Sequence, residues 1–151
     1  MSDATIREAG PEDAVTAGRL LFDFNTEYDD PTPPPDAMAV RVRQLLAAGD
    51  TRILLGGAGP DGIAVLRFRP AIWSTGLECY LAELYVAPAE RGRGLGRALM
   101  EAAIALARDA GADTMDLGTN ETDTAARALY ESLGFTQLED GTPNFFYERE
   151  L

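Results

Sequence analysis

A glycine-rich turn with closely spaced arginines is the segment whose composition most directly suggests binding chemistry. Its residues are Arg91, Gly92, Arg93, Gly94, Leu95, Gly96 and Arg97. Glycines let the backbone approach an anion closely, successive amides can donate to it, and a helix N-terminus adds partial positive charge. Because the helix dipole contributes only ~0.3–1 kcal/mol per charge, amides and arginines must supply most of the attraction. The pattern predicts a phosphate-binding loop.

Two common nucleotide-binding motifs do not match this loop. The dinucleotide fingerprint G-x-G-x-x-G needs a glycine three residues after Gly94, and Arg97 stands there. A P-loop needs Gly-Lys followed by Ser or Thr, and all thirteen basic residues of this chain are arginine. The loop therefore belongs to a different class of phosphate site.

A carboxylate just upstream of the loop is a candidate general base. Glu83 interrupts an apolar strand pattern and is expected on the same face as Leu77, Cys79, Leu81 and Tyr85. Partial desolvation there would raise its pKa from the usual value of about 4.3. A structural carboxylate, paired with an arginine or with backbone amides, is the alternative interpretation.

Composition excludes several other classes of chemistry. The chain has no histidine and one cysteine, Cys79, so Ser-His and Cys-His nucleophiles, an intramolecular disulfide and the usual zinc sites are all ruled out. A net charge of −12 argues against nucleic acid as a partner. The sequence contains no apolar run of about 20 residues, which is the length needed to cross a membrane. We expect one domain, residues 1–151, in the cytoplasm and without a metal.

Hydrophobic periodicity indicates the elements that position these residues. The order is β-α-α-β-β-β-α-β-α-β-β, an α/β fold with a mainly antiparallel sheet. Predicted strands are Thr5–Arg7, Thr51–Leu55, Gly62–Phe68, Leu77–Val86, Thr114–Leu117, Phe135–Leu138 and Asn144–Glu148. Predicted helices begin near Pro11, at Asp36, at Gly94 and at Asp123, and Asn25–Pro35 is predicted to be a loop.

Three segments of the chain, Leu81–Pro88, Arg91–Gly96 and Thr124–Phe135, are ordered along the sequence in the way that three motifs of one known family are. Together they resemble the GNAT superfamily of N-acetyltransferases. Arg91, Gly94 and Gly96 fit its Arg/Gln-x-x-Gly-x-Gly/Ala motif. Leu81–Pro88 is similar to the family's fourth strand, and Thr124–Phe135 is similar to its Asn-x-x-Ala-x-x-Leu-Tyr-x-x-x-Gly-Phe segment. One departure is Asp123, where the family commonly has asparagine. The resemblance implies a mixed, mainly antiparallel sheet of six to seven strands flanked by about four helices.

The resemblance also implies roles for individual residues. The loop from Arg91 to Arg97 would hold the pyrophosphate of acetyl-CoA, and the strand end at Leu84, Tyr85 and Val86 would bind its pantetheine arm through the backbone. Glu83 matches a family position used as a base. Tyr130 matches the family tyrosine near the CoA sulfur, which would act as the acid, although its spacing also suits a core aromatic. Arg91, Arg93 and Arg97 would bind phosphate directly or only supply positive field.

The acceptor is predicted less sharply. In this fold the segment joining the first two helices borders the acceptor site, and here it contains Phe24, Glu27, Tyr28 and Asp29. Acids interleaved with aromatics favour a cationic small amine, although an acidic protein carries acids on its loops generally. Alternatives are acetylation of a protein N-terminus or side chain, and a non-catalytic acyl-CoA sensor. Exposed strands near the C-terminus are compatible with a homodimer.

Overall fold

The structure is a computed structural model that describes residues 5–151. Its main elements in chain order are β1 (Ile6–Glu8), α1 (Ala14–Glu27), α2 (Pro35–Ala48), β2 (Thr51–Gly56), β3 (Gly62–Pro70), β4 (Leu77–Val86), α3 (Leu95–Asp109), β5 (Ala112–Leu117), α4 (Thr124–Ser132), β6 (Leu138–Glu139) and β7 (Thr142–Pro143). The chain divides into a larger unit that ends at Asp116 and a smaller unit, Leu117–Leu151. The single-domain organisation of residues 1–151 stays a prediction.

A mixed five-stranded sheet in the order β1-β2-β3-β4-β5 forms the centre of the larger unit. Strands β1 to β4 pair antiparallel in sequence, and β4 has the predicted bounds. One sheet face packs against α1 and α2, and its buried cluster includes Ala14, Ala17, Leu20, Val42, Ile53, Leu55, Ile63, Val65 and Tyr85. Helix α3 packs against the opposite face. The predicted sheet with flanking helices is confirmed.

A β-bulge in β4 changes the direction of the side chains that follow it. Leu81 pairs with Leu66 and Glu83 pairs with Val65, so Ala82 is an extra residue opposite two adjacent residues of β3. Because cross-strand partners share a face, Leu81 and Glu83 lie on opposite faces of the sheet. The expectation that Glu83 shares the face of Leu77, Cys79 and Leu81 was therefore wrong.

Helix α1 is longer than the sequence pattern predicts. The predicted loop begins at Asn25, but the helix continues to Glu27. Phe24 stacks on Tyr85 with ring centroids 5.0 Å apart, and Glu27 forms an ion pair with Arg91. These contacts with distant parts of the chain stabilise the last helical turn, which local propensity alone would not specify.

A network of hydrogen bonds orders the entry to α1. Asp13 accepts two hydrogen bonds from the Arg7 guanidinium, at 2.9 and 2.8 Å, and a third from the Gly10 amide at 2.9 Å. These bonds lower the pKa of Asp13 to about 2, with the Arg7 hydrogen bond as the largest cause. The carboxylate therefore fixes the start of the helix against β1.

Helices α1 and α2 approach closely at Gly18. A Cβ atom at this position would lie 2.8 Å from the backbone nitrogen of Ala39, which is closer than real Cβ contacts allow. Both residues are buried. The two helices therefore pack backbone against backbone at this point.

The smaller unit contains α4 and a short hairpin. Asp123 caps α4 by accepting a hydrogen bond from the Ala126 amide at 3.1 Å. Strands β6 and β7 pair only over Leu138–Glu139 and Thr142–Pro143, around a turn in which Asp140 and Gly141 have positive φ. The predicted strand pair Phe135–Leu138 and Asn144–Glu148 was wrong in its extent, because the strands that form lie closer to the turn. Between the predicted segments the Asn144 amide donates to the carbonyl oxygen of Gln137 at 2.7 Å.

Within residues 5–151, no helix combines the length and apolar content needed to cross a membrane.

Candidate active site

Glu83 lies on the sheet face that packs against α1 and α2, the face to which Tyr85, two residues later, also contributes. The bulge at Ala82 produces this orientation. Glu83 is half-buried, and burial raises its pKa above the ordinary value. A raised pKa makes this carboxylate a stronger base than a fully solvated glutamate.

The glycine loop follows β4 and leads into α3. A short 3-10 turn over Pro88–Glu90 comes first, and then Gly92 and Gly94 adopt positive φ values of 79° and 84°. Gly94 is the N-cap of the 15-residue helix α3. A Cβ at either glycine would meet no atom of the described chain within 4 Å. The loop is therefore open on its outer side, and its conformation fits an anion held by backbone amides at a helix N-terminus.

The other predicted loop residues occupy distinct environments. Leu95 is buried, and its methyl group would lie 2.9 Å from a Cβ at Gly56, so its side chain serves the core. Gly96 and Arg97 are in the first turn of α3. Arg93 forms an ion pair with Glu90 at 3.6 Å. Because the side chain of Leu95 is buried in the core, this residue can contact a ligand only through its backbone.

Arg91 is directed toward α1. Its Nη2 donates to Glu27 Oε1 at 2.8 Å, and its Nε donates to the carbonyl oxygen of Val86 at 2.9 Å. The Tyr85 hydroxyl donates to the same Glu27 oxygen at 3.3 Å, and Arg91 Cζ lies 5.7 Å from the Tyr85 ring centroid. The Arg91 hydrogen bond lowers the pKa of Glu27. Residues predicted for the cofactor and for the acceptor thus meet in one cluster.

Aromatic contacts surround this cluster. Phe24 stacks on Tyr85, and Tyr28 packs edge-on against Phe24 with centroids 5.5 Å apart. Tyr85 itself is buried, and burial is the main cause that raises its pKa, with the Glu27 charge adding to it. Asp29 follows α1 with a positive φ of 56° and is exposed. Phe24, Glu27 and Tyr85 are brought together, while Asp29 lies beyond the helix end.

A surface cavity of about 340 Å³ lies beside α1 and was not predicted from the sequence. Its wall includes Thr16, Arg19 and Asp23 from the helix and Asp61 from the turn between β2 and β3. Asp23 precedes Glu27 by one helical turn, so both carboxylates belong to one side of α1. Sequence reasoning did not select Asp23 as a site residue. The available signal was its spacing of one helical turn before Glu27, but the helix was predicted to end before Glu27.

Tyr130 lies on α4 in the smaller unit and is buried. Its ring packs edge-on against Phe135 with centroids 6.0 Å apart. Burial, with a further contribution from the charge of Asp123, raises the pKa of Tyr130 to about 12. The phenol therefore remains protonated throughout the physiological range and can act as a proton donor.

Cys79 takes no part in this chemistry. It is buried, and burial together with the charge of Asp116 raises the pKa of its thiol to about 11. A thiol with so high a pKa is a poor nucleophile at neutral pH. Cys79 is instead a small, fully buried residue of the core.

Comparison with known proteins gives a consistent assignment. Over 145 residues the chain is 31% identical to an aminoglycoside N(6')-acetyltransferase type 1 from Stenotrophomonas maltophilia, covering 91% of this chain and 90% of that protein. Over 60 residues it is 52% identical to a mycothiol acetyltransferase from Thermobispora bispora, a match to 38% of this chain that spans only 20% of that enzyme's length.

A solved structure extends the likeness to the fold. A protein from Arthrobacter sp. FB24, provisionally called an acetyltransferase, superposes with a TM-score of 0.90 at 44% identity, covering 97% of this chain and 96% of that one. The acetyltransferase (GNAT) family model matches residues 20–135. From this match, the near full-length relative and the fold, the chain belongs to the GNAT family of acetyltransferases.

Proposed function

We propose that the protein transfers the acetyl group of acetyl-CoA to a primary amine by direct attack in a ternary complex. The observation that carries this proposal is the sequence of elements at the end of β4. A strand that presents the half-buried Glu83 leads into a loop with positive φ at Gly92 and Gly94, and α3 follows at once. The proposed proton acceptor thus lies near the end of β4, and the proposed anion site lies in the loop that joins β4 to α3.

In this proposal the loop backbone from Gly92 to Gly96 holds the pyrophosphate. The backbone of Leu84 and Val86 holds the pantetheine arm. Acetyl-CoA supplies an activated acetyl thioester when it is bound. Supporting features are the open space at both positive-φ glycines and the N-terminus of α3 behind them.

Glu83 is the base of the proposed reaction. An amine substrate is mostly protonated at neutral pH, so the nitrogen must lose a proton before it attacks. The Glu83 carboxylate accepts that proton, directly or through a water molecule. Its burial supports this role because the raised pKa brings the carboxylate closer to the operating pH.

Tyr130 is the proposed acid, and it donates its phenolic proton to the departing thiolate. Its support is the family motif. The pKa of about 12 keeps the hydroxyl protonated at neutral pH and also makes it a weaker acid than a solvated phenol. Because a buried tyrosine also contributes to packing, the role needs a test that separates turnover from stability.

The proposed acceptor is a cationic small amine. The near full-length relative is an aminoglycoside acetyltransferase, and this chain carries a net charge of −12. Exposed acids at the end of α1, Asp29 and Asp30, and Asp23 in the cavity wall would attract such a substrate. Attraction of this kind should weaken as salt screens the charges.

The direct test is release of CoA thiol from acetyl-CoA in the presence of different amines. The panel contains aminoglycosides, polyamines, free amino acids and short peptides, at low and high salt. We expect turnover with a polycationic small amine and a higher KM for it at high salt. Turnover only with peptides would favour protein acetylation. Acetyl-CoA binding without turnover on any amine would favour a sensor.

A further inference from the structure

Glu27 lies on the helix that borders the candidate acceptor site, but its carboxylate binds Arg91 and Tyr85, at the start of the cofactor loop and the end of β4. We propose that Glu27 is a positioning residue for the acetyl-CoA loop, acting through Arg91, rather than an acceptor-binding residue. The inference rests on the proposed function of that loop. According to this inference, the carboxylate of Glu27 affects the affinity for acetyl-CoA, although it lies on the helix next to the proposed acceptor site.

Arg91 occupies the point where the loop begins. It follows the 3-10 turn at Pro88–Glu90 and directly precedes Gly92, whose φ is positive. Its guanidinium joins two elements: Nε binds the carbonyl oxygen at the end of β4, and Nη2 binds the last residue of α1. Arginine can make both contacts at once because its donors form a rigid planar fork. The first loop residue is thereby tied to the strand and to the helix.

The geometry around Glu27 makes this tie specific. A single oxygen, Oε1, accepts from both Arg91 and the Tyr85 hydroxyl, at 2.8 and 3.3 Å. Tyr85 is held in turn by stacking on Phe24, so the carboxylate is oriented from two sides. The Glu27 side chain is 27% exposed and that of Arg91 is 42% exposed. Such a partly exposed pair contributes modestly to stability but can restrict a glycine-rich loop effectively.

The ion pair with Arg91 also weakens the electrostatic attraction between Glu27 and a cationic acceptor. Its negative charge is already compensated by Arg91, so an incoming ammonium group would have to compete with a guanidinium at 2.8 Å. Asp23, one turn earlier on α1, is exposed in the cavity wall and is not the carboxylate that Arg91 binds, so it is the better candidate for that role. The acceptor and cofactor functions of α1 are thus divided between adjacent turns.

A double-mutant cycle on CoA binding tests the inference. Glu27→Gln, Arg91→Gln and the double variant are titrated with CoA by calorimetry, and steady-state kinetics give KM for each substrate. Glu8→Gln, which breaks a comparable ion pair with Arg52 on β1 and β2, is the matched control. We expect Glu27→Gln to weaken CoA binding by about 2- to 5-fold. The acceptor KM and kcat at saturating acetyl-CoA should change much less, and the effect should vanish in the Arg91→Gln background.

Three results would overturn the inference: unchanged CoA affinity in Glu27→Gln, additive effects of the two substitutions, or a rise confined to the acceptor KM. Failure of the wild-type protein to bind CoA would instead refute the proposed function on which the inference rests. The two failures are therefore distinguishable by calorimetry on the unmodified protein alone.

Discussion

Glu83 pairs across the sheet with Val65, although Leu81, only two residues earlier, pairs with Leu66 on the opposite face. The extra residue Ala82 thus turns a carboxylate toward α1 and α2 that regular alternation would direct toward α3. Bulges often reorient a side chain next to an active site. Here the bulge places the proposed base on the same face as the aromatic cluster around Tyr85.

Replacement of this carboxylate should remove one limb of the pH–rate profile. In the wild-type protein kcat/KM should fall as pH decreases through the raised pKa of Glu83, because protonation removes the base. Glu83→Gln should lower kcat by ~10²–10⁴-fold and abolish that acidic limb. Steady-state kinetics across the pH range measure both effects. A full rate in Glu83→Gln, matching the Glu8→Gln control, would exclude the base role.

Tyr130→Phe separates proton donation from packing. The substitution keeps the aromatic ring that packs on Phe135 and removes only the hydroxyl. We expect a loss of turnover of about 10²-fold with little change in CoA affinity or thermal stability. Because the pKa of Tyr130 is about 12, its ionisation should not produce an alkaline limb below that pH. Unchanged kcat would assign Tyr130 to the core alone.

The left-handed conformation of the loop can be tested against a matched glycine. Gly94 and Gly49 have φ values of 84° and 89°, and a Cβ added at either would have no atom of the described chain within 4 Å. Alanine at either position should cost about 1 kcal/mol in unfolding free energy because of backbone strain. Only Gly94→Ala should also weaken CoA binding, since Gly49 ends α2. If Gly94→Ala and Gly49→Ala bound CoA with equal affinity, the left-handed conformation at Gly94 would not contribute to cofactor binding.

Asp13 should make stability depend on pH at the acid end. Its pKa falls from an ordinary 3.8 to about 2 in the folded protein, so its contribution is fully present above the ordinary value and lost as pH falls to about 2. Asp13→Asn should reduce the unfolding free energy at pH 7 by roughly 1–3 kcal/mol. Denaturant unfolding at pH 7 and near pH 2 measures this. A difference from wild type that persists undiminished near pH 2 would contradict the assignment, and exposed Asp36→Asn is the control.

Sequence patterns specified the elements better than their mutual contacts. The bounds of β4 were predictable because a long apolar run ends at Pro88. The bulge was not, because alternation through Leu81, Glu83 and Tyr85 looks regular until the strand is paired with β3. A bulge is a property of two strands, and its register depends on the partner.

The site was predictable in its parts and not in its connections. The glycine motif identified the loop, yet no local signal indicates that Arg91 pairs with a carboxylate 64 residues earlier in the chain. The end of α1 was misplaced for the same reason, because Phe24 and Glu27 are held by distant residues. Near the C-terminus, the periodicity suggested a strand pair of Phe135–Leu138 with Asn144–Glu148, whereas the strands around the turn at Asp140 and Gly141 pair only four residues.

The contact at Gly18 has a practical consequence for altering substrate preference. Backbone atoms limit the distance between α1 and α2 at this contact, so the contact fixes the spacing of the two helices. Any side chain at position 18 would clash with the backbone of α2 at Met38 and Ala39 and force the two helices apart at this point. Exposed positions such as Val15, Arg19 and Asp23 can be randomised without changing the spacing of the two helices. An engineering library built on these positions would sample new acceptors on an unchanged frame.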